Sequence, residues 1–240
     1  MFVLRDSLDP VAEDGGRVEV AFTDARLDLQ EGGDGLAEGL ATLETATGTR
    51  FARLHQVHGD RVVVVDDEPE RGGPGGTGGP GGEVAEGDAL VTTRRRTGLM
   101  VRVADCVPVV LADPETGVVG AVHAGRRGVE ADVVTRAVER MRDLGARDVQ
   151  AWIGPHICGR CYEVPEAMRA AVAAAVPAAY AQTSWGTPAL DLGAGVEDQL
   201  AAAGVAAIRV AGCTFEDDRL HSFRRDGAAS GRFAGLVWIG

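Results

Sequence analysis

At 240 residues with a net charge of −12, the chain is long enough to bury most of its surface as one domain, and its acidity argues against sequence-independent binding to nucleic acid. No apolar run approaches the ~18 residues of a membrane span, and "MFVLRDSLDPVAEDGG" has no basic region ahead of an apolar core, so neither a membrane helix nor a secretory leader is expected. The four cysteines, Cys106, Cys158, Cys161 and Cys213, are then expected as thiols of a cytoplasmic protein, and with no lysine in the chain every basic side chain is Arg.

"RVEVAFTDARLDL" alternates like a strand. Residues 35–48, "GLAEGLATLETATG", read as a helix ended by Gly48. "RFARLHQVHG" and "RVVVVDD" read as two strands broken at Gly59. Residues 71–83, "RGGPGGTGGPGGE", carry almost no side chains to pack. They read as a flexible loop within one domain spanning 1–240, because strand-like segments resume on both sides. The tract also lacks the Lys-Ser/Thr and helix start of a phosphate-binding P-loop. "DALVTT", "GLMVRVADC", "PVVLAD" and "GVVGAVHA" follow as strands, the last two joined by the turn "PETG". After Gly128, Val133, Val134, Ala137, Val138, Met141 and Leu144 recur at helical spacing. "DVQAWIG" is a strand, Pro165 opens an Ala-rich helix, and Asp191 caps another that ends at Gly204. "VAAIRVAGC" and "GLVWIG" close the chain as strands. This mixture, with a tight hairpin in the middle, predicts a single α/β (α+β) domain with mixed sheets rather than an all-parallel one.

The hairpin has a chemical consequence. With "PETG" as its loop, Asp113 pairs with Val118, and counting down the ladder puts Cys106 opposite Gly125. His123, two residues from Gly125, then shares a face with Cys106 as its diagonal neighbour, about 5–8 Å away at the backbone. Pro108 is expected to disturb the ladder, and a slip of one residue would put the two side chains on opposite faces. A thiolate and an imidazole so placed can touch or share a cation. Zinc prefers four ligands, and a catalytic zinc keeps one position for water. His55, His58, His156 and His221 are the candidates for a third protein ligand. "LHQVHG" is the best source: His58 sits at a strand end beside Gly59, and His55, of opposite parity, stays open as the alternative.

Taken in order, "LHQVHG", "DALVTT", "VADCVPVVLADPETGVVGAVHAGRRG", "IGPHICGRCYEV" and "HSFRRDGAASGRFAGLVWI" resemble the bacterial, YfiH-like laccase-domain family. Its members were once called multicopper polyphenol oxidases. They are now regarded as zinc-dependent phosphorylases of adenosine, inosine and methylthioadenosine, with adenosine deaminase activity. The resemblance runs from about residue 18 to the C-terminus. It implies mixed sheets in the interior with helices outside, and a metal held by His58, Cys106 and His123. It also implies a purine nucleoside and phosphate as substrates, in a monomer or homodimer. Copper can occupy the same three ligands, because Cu²⁺ outcompetes Zn²⁺ at most N/S sites. Two departures bear on substrate preference. The family usually has "HAGWRG", whereas here Arg126 stands in place of the Trp, and the segment "AFTDARLDLQEGG" is shorter than in many members.

A zinc at these residues would keep Cys106 as thiolate and bring the pKa of a bound water toward ~7, which suits attack on C6 of adenine. Phosphorolysis needs cations for phosphate and a proton donor for the departing base. Arg127, in the turn after His123, is the first choice for the anion and also counts among the catalytic residues with Cys106 and His123. Arg224 and Arg225 are the second choice, and Arg126 adds charge. Asp88 and Asp105 are candidates to orient a ligand imidazole, although an Asp at such places more commonly satisfies turn amides. Cys158 and Cys161 form a C-x-x-C. No second C-x-x-C or paired His follows at knuckle spacing, so a structural role is expected. Tyr162 and Glu163 are expected at the pocket wall, and His156 and His221 as wall or satisfied histidines. Three competing functions are a copper phenol oxidase, a cysteine hydrolase using Cys106 and His123, and a non-enzymatic binding module. Five histidines with no H-x-H pair are too few for a type-1 plus trinuclear copper oxidase.

Overall fold

The computed structural model describes residues 1–11, 16–66 and 84–240. The glycine-rich tract 71–83 lies outside the described residues. In chain order the elements are β1 (Phe2–Val11), β2 (Gly16–Thr23), α1 (Leu36–Thr47), β3 (Arg50–Ala52), β4 (Val62–Val64), β5 (Ala89–Thr92) and β6 (Thr97–Val103). They continue with β7 (Val107–Asp113), β8 (Val118–Ala124), α2 (Arg126–Glu130), α3 (Val133–Asp143), β9 (Gln150–Ile153) and α4 (Glu166–Ala175). The last are β10 (Tyr180–Gln182), β11 (Pro188–Leu190), α5 (Leu192–Ala202), β12 (Ala206–Arg209), α6 (Phe223–Asp226) and β13 (Phe233–Ile239).

Two sheets stack face to face. One has the strand order β1-β2-β13-β6-β3, the other β12-β9-β7-β8-β5-β4. The pairs β3/β6, β4/β5 and β9/β12 are parallel and the remaining pairs antiparallel, so both sheets are mixed as the sequence predicts. Between them lies an apolar layer in which Val20, Phe22, Leu99, Val101 and Val237 meet Leu90, Val110, Val119, Ala121 and Trp152. Helices cover the outer faces. Leu43 of α1 packs on Phe51, Leu236 and Trp238. The α3 stripe of Val133, Val134, Ala137, Val138 and Met141 packs with Val91, Val109, Leu111 and Val122 of the other sheet. Asp132 and Asp191 start α3 and α5 by accepting from the amides of Thr135 and Ala194, and Gly48 ends α1 at φ +70°.

The central hairpin holds its predicted register from Asp113↔Val118 to Val107↔Ala124, and Pro108 pairs with His123 without a break. The expected disturbance is absent because of where the missing donor would point. The amide of His123 bonds the carbonyl of Asp88 on the β5 side, so this pair exchanges no bonds across β7 and β8. Pro108 therefore faces its nitrogen toward β9, whose pairing with β7 starts only at Val109. Two further strands of the sequence reading are shorter than expected, β3 and β4. The N-terminal strand β1 and the small β10–β11 hairpin lacked a clear alternation and were not anticipated.

Two links between the sheets carry candidate ligands. The chain leaves the five-stranded sheet at Val103 and enters the six-stranded one at Val107, with Ala104, Asp105 and Cys106 as the crossing. It makes the same change of sheet between β3 and β4, and His58 lies on that link.

Candidate metal centre

His123, at the end of β8, and Cys106, one residue before β7, meet His58 at the seam between the sheets. One imidazole or thiol donor atom from each lies within 4.8 Å of the others. The His58 and His123 rings meet edge to face, with centroids 4.7 Å apart. His55 is elsewhere: its Nδ1 lies 3.2 Å from Glu31 Oε2. His156 bonds the Gly154 carbonyl and His221 the Leu27 carbonyl, as satisfied histidines do.

Asp88 organises the cluster. Its Oδ1 lies 2.8 Å from His123 Nδ1 and accepts from the His58 amide at 2.9 Å, while its Oδ2 accepts from the Gly59 amide at 2.6 Å. The same carboxylate thus orients one imidazole and holds the backbone turn that presents the other, at a His58 φ of +61°. Burial alone would raise the Asp88 carboxyl, yet His123 and these amides hold it below its usual range. With Nδ1 occupied, His123 offers Nε2 to the cluster. Burial likewise opposes a Cys106 thiolate, but His123 beside it, with His58, brings the thiol down to about 6. His123 is raised to about 9, since Cys106 and Asp88 outweigh the desolvation of its charged form. A thiolate and two imidazoles are a borderline-soft donor set suited to zinc or copper. The space is tailored as well: a Cβ on Gly125 would come 2.6 Å from His58 Cδ2 and 3.3 Å from Cys106 Sγ.

The cluster floors a cavity of about 610 Å³ lined in part by Gln56, Arg102, Tyr162, Phe223, Arg224 and Arg232. Arg224 donates to the Glu163 carbonyl at 2.7 Å, with its guanidinium 5.0 Å from the Tyr162 ring centre. Burial pushes the Tyr162 phenol up, so it stays protonated. Asp105 does not touch an imidazole. At φ +89° it accepts from Thr214 Oγ1, Ser222 Oγ and the Arg224 amide, which pins the Arg224 segment beside Cys106.

The other predicted residues lie further out. Arg127 is exposed on α2 and outside the cavity lining, and Arg126 pairs with Glu130 at 2.6 Å. Arg225 donates to the Thr214 and Leu220 carbonyls, so its guanidinium braces the loop. The Glu163 side chain accepts from Trp185 and Thr187, away from the cavity. Arg102 and Arg232 line the cavity and were not anticipated. Arg102 stood out in the sequence as the single charge in "GLMVRV", and it bonds Glu31 and the Leu54 carbonyl. Cys158 and Cys161 are joined by Cys213 and Glu216 in a second cluster of donor atoms within 4.8 Å. None of the four cysteines is disulfide-bonded.

Comparison with known proteins bears on this geometry. Among the solved structures that share the fold are two bacterial proteins. The YfiH protein of Bacillus licheniformis superposes with a TM-score of 0.79 at 21% identity, covering 93% of each chain. YlmD of Geobacillus stearothermophilus gives 0.78 at 24% identity, covering 97% of this chain and 99% of its own. A purine nucleoside phosphorylase of Streptomyces griseus is 52% identical over 189 residues, 78% of this chain and 73% of its own length. One from Mycobacterium tuberculosis is 47% identical over 195 residues, 80% of this chain and 73% of its own. The family model described as multi-copper polyphenol oxidoreductase laccase matches residues 23–240, and the chain belongs to that family.

Proposed function

We propose that this chain is a zinc-dependent purine nucleoside phosphorylase acting on adenosine, inosine and S-methyl-5′-thioadenosine, with adenosine deaminase activity in the same cavity. The observation that carries the reading is the convergence of His58, Cys106 and His123 on the floor of a cavity whose wall carries Arg224 and Arg232. The names of the relatives from Streptomyces and Mycobacterium support the substrate class. His58, Cys106 and His123 would hold the zinc, and Asp88 would keep His123 in the tautomer that binds it. Zinc, when bound there, would supply Lewis-acid polarisation.

The side chains around it do the rest. Arg224 and Arg232, each held through Nη1 by backbone carbonyls, bind phosphate with their remaining N–H groups, the role first expected of Arg127. Tyr162, which lines the same cavity, is the proton donor to the departing purine. A multicopper oxidase has less support, since three of the five histidines, His55, His156 and His221, are engaged with Glu31, Gly154 and Leu27.

The test is direct. Zinc and copper are quantified in the purified protein, which is then incubated with adenosine with and without phosphate. Phosphate-dependent release of adenine is expected. No turnover of any purine nucleoside by zinc-loaded protein would sink the reading. Cys106→Ala is expected to lose activity and the zinc of this site, and a fully active variant would remove Cys106 from it.

A further inference from the structure

The second donor cluster is assembled from two matching turns. In "CGRC" the amides of Cys161 and Tyr162 both bond the Cys158 carbonyl, at 2.9 and 3.0 Å. In "CTFE" the amides of Glu216 and Asp217 both bond the Cys213 carbonyl, at 3.1 and 2.9 Å. Each turn thus presents its first and fourth side chains on one side. The turns are fastened together, since His156 bridges Cys213 and the Thr214 amide bonds the His156 carbonyl at 3.1 Å. The amide of Cys158 also points at Cys213 Sγ, 3.4 Å away. The outcome is three sulfurs and one carboxylate with ligand atoms all within 4.8 Å of one another. A tetrahedral ion with bonds of ~2.3 Å to sulfur sets its ligands about 3.8 Å apart, so a small contraction closes the cluster around one.

We propose that Cys158, Cys161, Cys213 and Glu216 bind a second zinc ion as a closed structural site. Four protein ligands leave no position for water or substrate, in contrast to the three at His58, Cys106 and His123. Three thiolates select a borderline-soft ion over magnesium or calcium. Arg160, exposed between Cys158 and Cys161, places a positive charge beside the surplus negative charge of three thiolates and a carboxylate. The second half of the site is a C-x-x-E, not a C-x-x-C, and lies more than fifty residues on. The site also has a use. Tyr162 follows Cys161 directly and lines the cavity, while Thr214 follows Cys213 and bonds Asp105 next to Cys106. An ion here would tie the segment of Tyr162, which lines the cavity, to that of Thr214, which holds Asp105 in the lining. The proposal does not depend on the phosphorylase reading.

Metal content decides it. Protein purified under reducing conditions is expected to hold two zinc ions per chain, and Cys106→Ala one. Cys213→Ser and Glu216→Gln are each expected to lose one equivalent relative to wild type. Cobalt-substituted Cys106→Ala should keep an intense thiolate-to-metal absorption band that disappears when Cys213→Ser is added. Circular dichroism establishes that each variant is folded, and Glu216→Gln serves if Cys213→Ser is not. A folded Cys106→Ala protein with no bound metal would overturn the proposal. So would wild-type protein with at most one zinc and a disulfide among Cys158, Cys161 and Cys213.

Discussion

Asp88 is the residue on which the candidate metal centre turns, because one carboxylate serves both an imidazole and the turn that carries the other. Asp88→Asn keeps the size but replaces an acceptor with a donor facing two amides. Partners of this kind change metal affinity by about 10–100-fold. Zinc affinity should fall by that order in a competition titration with a chromophoric chelator, and unchanged affinity would remove Asp88 from the centre. Gly125 makes a cleaner steric test. Its φ of −76° suits any residue, so Gly125→Ala strains no backbone and only adds a methyl against His58 and Cys106. The variant should fold with native circular dichroism while losing zinc from the first site. Retention of that zinc would mean the site has room the geometry denies. At this scale the sequence was partly legible. Parity and register brought Cys106 and His123 together, whereas choosing His58 over His55 needed the resemblance, since a left-handed turn at His58 leaves no mark in residue type.

At the scale of elements, the hairpin was readable because its turn chemistry and its ladder agree. Asp113 shows why. Its Oδ1 accepts from the amides of Glu115 and Thr116 inside "PETG", and its Oδ2 accepts from those of Arg147 and Asp148 in the loop before β9. Burial would raise the Asp113 carboxyl, but these donors win and hold it below its usual range. A carboxyl depressed in the fold adds stability that is present above its unfolded value, near 3.9. That contribution is lost as pH falls through the lower folded value. The stability gap between wild type and Asp113→Asn, from urea titrations of metal-free protein, should therefore shrink from pH 5 to pH 3. A gap that widens in acid would contradict the assignment. Elements without such punctuation escaped the sequence reading. Strand β1 is anchored by its pairing with β2, and β10 and β11 pair over only three residues each.

For the whole molecule, the charge distribution matters more than its total. The chain carries −12 overall, yet Arg102, Arg224 and Arg232 line the same cavity. Glu31, paired to Arg102, and Asp105 share that lining, so Arg224 and Arg232 are the cations left there to meet an anion. The layered architecture was legible as mixed sheets with outer helices, but the pairing of distant strands was not, because no local signal says that β13 lies between β2 and β6. The two crossings between sheets add a mechanical consequence. Since Cys106 and His58 ride on separate crossings and His123 ends a strand of one sheet, an ion bound to all three is a rivet through both layers. Neither layer can open without drawing it out. Amide hydrogen exchange in β6 and in β7 should therefore slow together when zinc is added, and protection gained by only one sheet would show that the layers open independently.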